Sequence, residues 1–267
     1  MPAFGHFHPA CSACGLGIGR IRISCHGDGV KTNTDLILRR SGERGHVNHG
    51  WLDSRFTFSF ADYYDPAHMG FRSLRVINDD RIAPGGGFPT HPHRDMEIFS
   101  YILAGQLAHQ DSMGNSRVLK PGMIQLMSAG SGVTHSEFNP SSSEEAKLLQ
   151  IWIQPRQRNL PPRYTEWQPT PEQEAASKVL VISPDGRDHS ATIAQDADIY
   201  RLKLQPGESV SHTLAPGRGV WLHLIRGEAD LDGTGISPGD AASSERPGTF
   251  TLHAKDQPVE ALLFDLA

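Results

Sequence analysis

Cysteine is almost missing from this chain. Its three cysteines, Cys11, Cys14 and Cys25, fall within the first 25 of 267 residues. A disulfide framework through the body is therefore excluded, and a reducing cytoplasm is the expected compartment. Long apolar runs are lacking too, none approaching the ~18 residues that a membrane helix needs. The opening MPAFGHFHPACSACGLGIGR has no basic segment followed by a long apolar stretch, so no secretory signal is expected. There is no excess of positive charge either. The 25 Lys and Arg against 30 Asp and Glu leave a net charge of −5, which speaks against direct binding of nucleic acid. Walker and GxSxG signatures are absent, and Gly15-x-Gly17-x-Gly19 lacks the strand–helix setting of a dinucleotide loop. Amphipathic helix patterns are scarce, Pro171 to Lys178 being one modest candidate.

What is present is glycine, proline and histidine, at 27, 19 and 14 residues. Residues 1–34 read as a poorly ordered extension. Their His6, His8, Cys11 and Cys14 are soft-metal donors, but sit too close together for the usual zinc-ribbon or finger spacing. From Asp35 the pattern turns to short β-rich segments such as Leu74–Ile77, Glu97–Leu103 and Lys147–Ile153, punctuated by Gly, Pro, Asn and Asp. Prolines 155, 161, 162, 169 and 171 mark a stiff connection over 157–177. On either side lie units 35–156 and 178–267 that look like diverged copies. Ile102-Leu103-Ala104-Gly105 leads to Lys120-Pro121-Gly122 in the first, and Leu224-Ile225-Arg226-Gly227 to Ser237-Pro238-Gly239 in the second. The expected fold is all-β, with two antiparallel barrels packed together.

The histidines sort by spacing. His91 and His93 are two apart, as are His135 and Glu137. On an extended strand, residues i and i+2 share a face, so each pair can reach one ion. On neighbouring barrel strands the pairs would bring three imidazoles and one carboxylate together, a donor set suited to a divalent first-row metal with positions left open for substrate. The second copy has His212, His223 and His253 as single residues, so no metal is expected there. His109 shares the parity of Asp111, which leaves it either lining the cavity or exposed on a hairpin. His46, His49 and His68 read as hydrogen-bonding loop residues.

Gly85-x5-His91-x-His93-x3-Glu97 followed by Gly105, and Gly122 through Gly130 to His135, resemble the two cupin motifs. Seven residues rather than six between Glu97 and Gly105, and Ser128 where the general motif has Pro, resemble the pirin branch. So do Glu43–Ser54, Phe58–Pro66, His109–Asn115 and Ser136–Ser141. The resemblance covers about 35–267 and implies a bicupin, two stacked barrels of the double-stranded β-helix type. It implies one metal, usually iron, with Ni, Mn, Co and Cu compatible, on His91, His93, His135 and Glu137 of the first barrel. Glu97 is then expected to stand behind the ligands or line the cavity, with Phe88, Phe99 and Met127 as an apolar wall.

The function that the resemblance implies is a quercetin 2,3-dioxygenase-like oxidoreductase. Such an enzyme opens the central ring of a flavonol with dioxygen, and Glu137 would accept the substrate's 3-hydroxyl proton as the catalytic residue. Its partners are a small aromatic substrate and dioxygen, without nucleic acid or membrane. Two alternatives stay open: a metal-dependent redox sensor that partners a transcription regulator, and a cupin isomerase or lyase.

Overall fold

The computed structural model describes residues 36–267; the His6–Cys14 donors of the extension lie outside the described residues. In chain order the first half contains β1 (Ile37–Arg39), β2 (Gly45–Asn48), β3 (Leu52–Phe56), β4 (Leu74–Ile82), β5 (Gly87–His93) and β6 (Glu97–Ala104). These are followed by β7 (Leu107–Asp111), β8 (Ser116–Leu119), β9 (Ile124–Ser128), β10 (Val133–Phe138), β11 (Ala146–Ile153) and β12 (Arg163–Trp167). A short α-helix, α1 (Pro171–Ala175), is capped by Thr170, whose side chain accepts from the Gln173 amide. The second half runs through β13 (Lys178–Ser183), β14 (Ala191–Thr192), β15 (Ala197–Leu204), β16 (Ser209–Leu214) and β17 (Gly219–Arg226). It ends with β18 (Ala229–Leu231), β19 (Thr234–Ile236), β20 (Ala241–Ser244), β21 (Gly248–Ala254) and β22 (Val259–Leu266).

Each half pairs a seven-stranded sheet with a four-stranded one, and the halves correspond in their small sheets and in the five inner strands of their large ones. The large sheets run β12-β9-β6-β11-β4-β3-β2 and β1-β20-β17-β22-β15-β13-β14; the small ones run β5-β10-β7-β8 and β16-β21-β18-β19. The repeated glycines have a common cause. Gly105 and Gly227 both take positive φ (67° and 79°), and a side chain there would strike the carbonyl of Glu145 or Pro258, just before the closing strand. Two edge strands depart from simple succession. β1 joins β20 of the second barrel, whereas β12, carried by the proline-rich connection, joins β9 of the first.

Alternation along the large sheets divides the core. Ile77, Phe99, Tyr101, Leu149 and Ile151 point to one side, where they meet Val181, Ile199, Trp221, Leu262 and Phe264 of the other barrel in one buried cluster. The intervening residues face the barrel interiors. In the second barrel Leu202, Val220, Leu222, Leu252 and Leu263 fill that interior, leaving only about 10 Å³ free. In the first barrel the equivalent space opens into a cavity of about 430 Å³.

Candidate metal centre

The site is built on three adjacent strands of the small sheet, with β10 between β5 and β7. Register sets His135 opposite both His91 and Asp111, and Glu137 opposite His109, with an irregularity in the β5 pairing between His135 and Glu137. The ring centroids of His91, His93 and His135 lie 4.5–4.9 Å apart. One nitrogen from each of the three comes within 4.8 Å of the others.

The contacts around two of these rings, His91 and His135, assign a tautomer to each. His91 Nδ1 meets the Pro89 carbonyl at 2.8 Å, so it carries the proton and leaves Nε2 with a bare lone pair. On the other side, His109 Nε2 meets Asp111 Oδ2 at 3.1 Å, and its Nδ1 stands 3.5 Å from His135 Nδ1. A proton at each donor position of that chain leaves His135 Nε2 bare as well. That lone pair faces His91 Nε2 across 3.1 Å. Two lone pairs so close repel unless a cation stands between or beside them, and this is the observation by which the residues fit a metal ion. Burial, reinforced by the charges of neighbouring histidines, pushes His93 down to about 4 and His135 to about 3, so both are uncharged at neutral pH.

Glu137 reaches across the lumen. It is 1% exposed, and its carboxylate accepts from Gln125, from Ser100 at 3.2 Å and from Gln150 at 2.8 Å. All three donors belong to the large sheet. The structure places this carboxylate in a second cluster, with His135 and His109, rather than in the three-imidazole group.

His109 is the residue of this centre that spacing alone left undecided. It is 2% exposed and stacked on Tyr164, 4.9 Å between ring centroids. The signal was there: His109 and Asp111 are a third i,i+2 pair, but only the strand pairing shows that it lies beside β10. Burial raises Asp111, yet the hydrogen bonds from Asn115 and His109 outweigh it and hold the carboxyl below its usual range.

Glu97 does not behave as expected. Its carboxylate accepts from Ser128 Oγ at 2.7 Å and from the Ala194 amide at 3.2 Å, so it serves the contact between the barrels. The parity of β5 does not carry into β6, because Asp95, at φ 50°, turns the corner between two sheets. Within β6, Ser100 bonds to Glu137 in the lumen, and Phe99 falls on the opposite side, in the inter-barrel core. Phe99 is therefore no cavity wall. Met127 packs with Ile98, Ala129 and Val133, and Phe88 alone of the three expected apolar residues lines the cavity. His46 and His68 pair with Asp53 and Asp65, whereas His49 lines the cavity. In the second barrel His212 is tied to Asp265 at 2.8 Å and to Lys178 at 3.0 Å.

The remaining cavity wall is largely apolar, from Trp51, Phe56, Phe60, Phe88 and Trp152. Trp152 sets its ring edge-on to His93, 4.9 Å between centroids. A concave space of this size, apolar with a few convergent polar groups, suits a small organic ligand. One of those groups is Asp80, which burial pushes up to about 7 against the opposing hydrogen bond from Ser54. No helix of the described residues is long and apolar enough to cross a membrane.

A family model described as Pirin matches residues 38–153, and one described as Quercetinase C-terminal cupin domain matches 180–266. The chain is 48% identical to the quercetin 2,3-dioxygenase of Escherichia coli K12 over 231 residues, covering 86% of this chain and 98% of that protein. It is 36% identical to a pirin-like protein of Caulobacter vibrioides, covering 84% and 96%. Among solved structures, the bacterial pirin YhhW of E. coli in complex with nickel(II) superimposes with a TM-score of 0.82 at 48% identity, covering 86% of this chain and 98% of that one.

Proposed function

This chain belongs to the pirin family, and from that premise we propose that it is a metal-dependent dioxygenase that opens the central ring of flavonols such as quercetin. The observation that carries the reading is the group of three converging imidazoles, two of which, His91 and His93, line an apolar cavity of about 430 Å³. Relatives that bear the name quercetin 2,3-dioxygenase support it.

We read the metal as one divalent first-row ion, iron by family resemblance, held by His91, His93, His135 and Glu137. Nickel in a similar bacterial pirin supports the site without choosing the ion. When bound, the ion supplies a Lewis acid and a template on which substrate and dioxygen meet. The protein's part is positional. Trp51, Phe88 and Trp152 hold a planar ring system and exclude water. Glu137, gripped from the opposite sheet, accepts the flavonol's 3-hydroxyl proton. In this reading residues 35–156 form the catalytic unit, 178–267 a second barrel without metal, and 157–177 their connection. With every cysteine inside the first 25 residues, we place the protein in the cytoplasm.

The test is turnover by protein whose metal content has been measured. Quercetin should disappear together with dioxygen, and carbon monoxide should be released in proportion. Metal-loaded protein that consumes neither would sink the reading.

A further inference from the structure

Four polar residues cross the large sheet of the first barrel in a single row. Gln125 is the register partner of Ser100, Ser100 of Gln150, and Gln150 of Asn78. Because they lie opposite one another on β9, β6, β11 and β4, their side chains project to the same side of the sheet. Three of the four bond to Glu137. The fourth does not. Asn78 is 3% exposed and lines the cavity, and its Oδ1 is buried with no hydrogen-bond partner.

A buried amide group left without a partner costs stability. An apolar side chain of similar shape would remove that cost, so the amide calls for a partner that the protein alone does not supply. Its position says where the partner comes from. Asn78 stands one strand beyond Gln150, on the side toward β3, whose Leu52, Ser54 and Phe56 also line the cavity. Its register partner on β3 is Phe56, another residue of the cavity wall.

We propose that Asn78 is a specificity-determining residue: its side-chain amide, turned toward the cavity that it lines, hydrogen-bonds a hydroxyl of the bound aromatic other than the one directed at Glu137. The cavity therefore selects polyhydroxylated flavonols over those with a 3-hydroxyl alone. The inference rests on the flavonol reading of the cavity. Asp80 lies two residues along β4 on the same wall, its carboxyl bonded to Ser54, and adds a second polar group within the same patch.

The probes are quercetin and 3-hydroxyflavone, which share the 3-hydroxyl and differ in all the others. Binding to the metal-loaded protein is followed by quenching of tryptophan fluorescence, since Trp51 and Trp152 line the cavity. The wild type should bind quercetin about tenfold or more tightly than 3-hydroxyflavone. In Asn78→Leu the ratio should fall to about one, through weaker quercetin binding, with the 3-hydroxyflavone Kd unchanged. Asn78→Ala removes the same amide without filling space and should collapse the ratio likewise. Unchanged 3-hydroxyflavone binding also shows that each variant is folded. A ratio that persists in both variants, or an equal loss of both ligands, overturns the role of Asn78 and leaves the flavonol reading standing. Failure of the wild type to bind either compound overturns both.

Discussion

Gln150 Nε2 donates to Glu137 Oε2 at 2.8 Å across the lumen of the first barrel, while Gln125 Nε2 donates to Oε1. Both oxygens of the carboxylate are thus addressed from the large sheet, although the residue itself belongs to the small one. The two sheets are pinned together at the point where the cavity meets the histidines. Glu137 is a group of fixed position rather than a swinging arm.

Glu137→Gln tests what that position is for. The new amide turns an acceptor into a donor where Gln150 and Gln125 already donate, and it takes no proton from a substrate. Turnover of quercetin should fall by roughly 10²–10⁴-fold, the usual worth of a positioned base. Elemental analysis should still find metal on the three imidazoles. Full turnover with metal bound would exclude Glu137 as the proton acceptor.

His91→Ala addresses the metal directly. Its Nε2 is one of the two bare lone pairs that face each other at 3.1 Å, and the ring is only partly buried. Metal affinity should fall by at least about tenfold, whereas thermal stability without metal should hold or rise as the repulsion is relieved. Unchanged metal content in the variant would mean that the ion sits elsewhere.

The convergence of His91, His93 and His135 is legible in period-two spacing, and the two barrels in the Gly105 and Gly227 repeats, because each of these rests on local geometry. Residues whose role depends on which strands become neighbours were harder. His109 and Asp111 acquire their role only when β7 pairs with β10. Asn78, Ser100, Gln125 and Gln150 come from four separate strands and read as unremarkable polar residues until register aligns them. Glu97 is the converse case: strand parity does not pass the corner at Asp95 where the chain changes sheet, and the carboxylate lies with Ser128 and Ala194.

His109→Phe separates the orienting chain from the ligands. The substitution keeps a ring against Tyr164 but removes both nitrogens between Asp111 and His135. His135 then loses the partner that holds its proton on Nδ1. Metal affinity should drop by about 10–100-fold, measured by competition with a chelator, while the fold persists. An affinity equal to wild type would show that the Asp111–His109 pair does not orient the ligand.

Asp80 gives a prediction in pH. Burial raises its carboxyl from 3.8 to about 7, so between those values the folded state holds a proton that the unfolded chain has released. Stability from this group is therefore full below the unfolded value, lost progressively as pH rises from about 4 to 7, and absent above that. His93 and His135 act in the reverse sense. Their folded values are depressed, so they weaken the fold as pH falls below 6.5 toward about 4 and 3. Comparing Asp80→Asn with the wild type cancels these histidines, which both proteins share. The variant cannot ionise, and its urea-unfolding stability should gain on the wild type between pH 5 and pH 8, by up to about 2.6 kcal/mol, the remainder of the shift being lost below pH 5. A difference between the two proteins that stays constant across that range would show that Asp80 does not carry a displaced proton into the folded barrel.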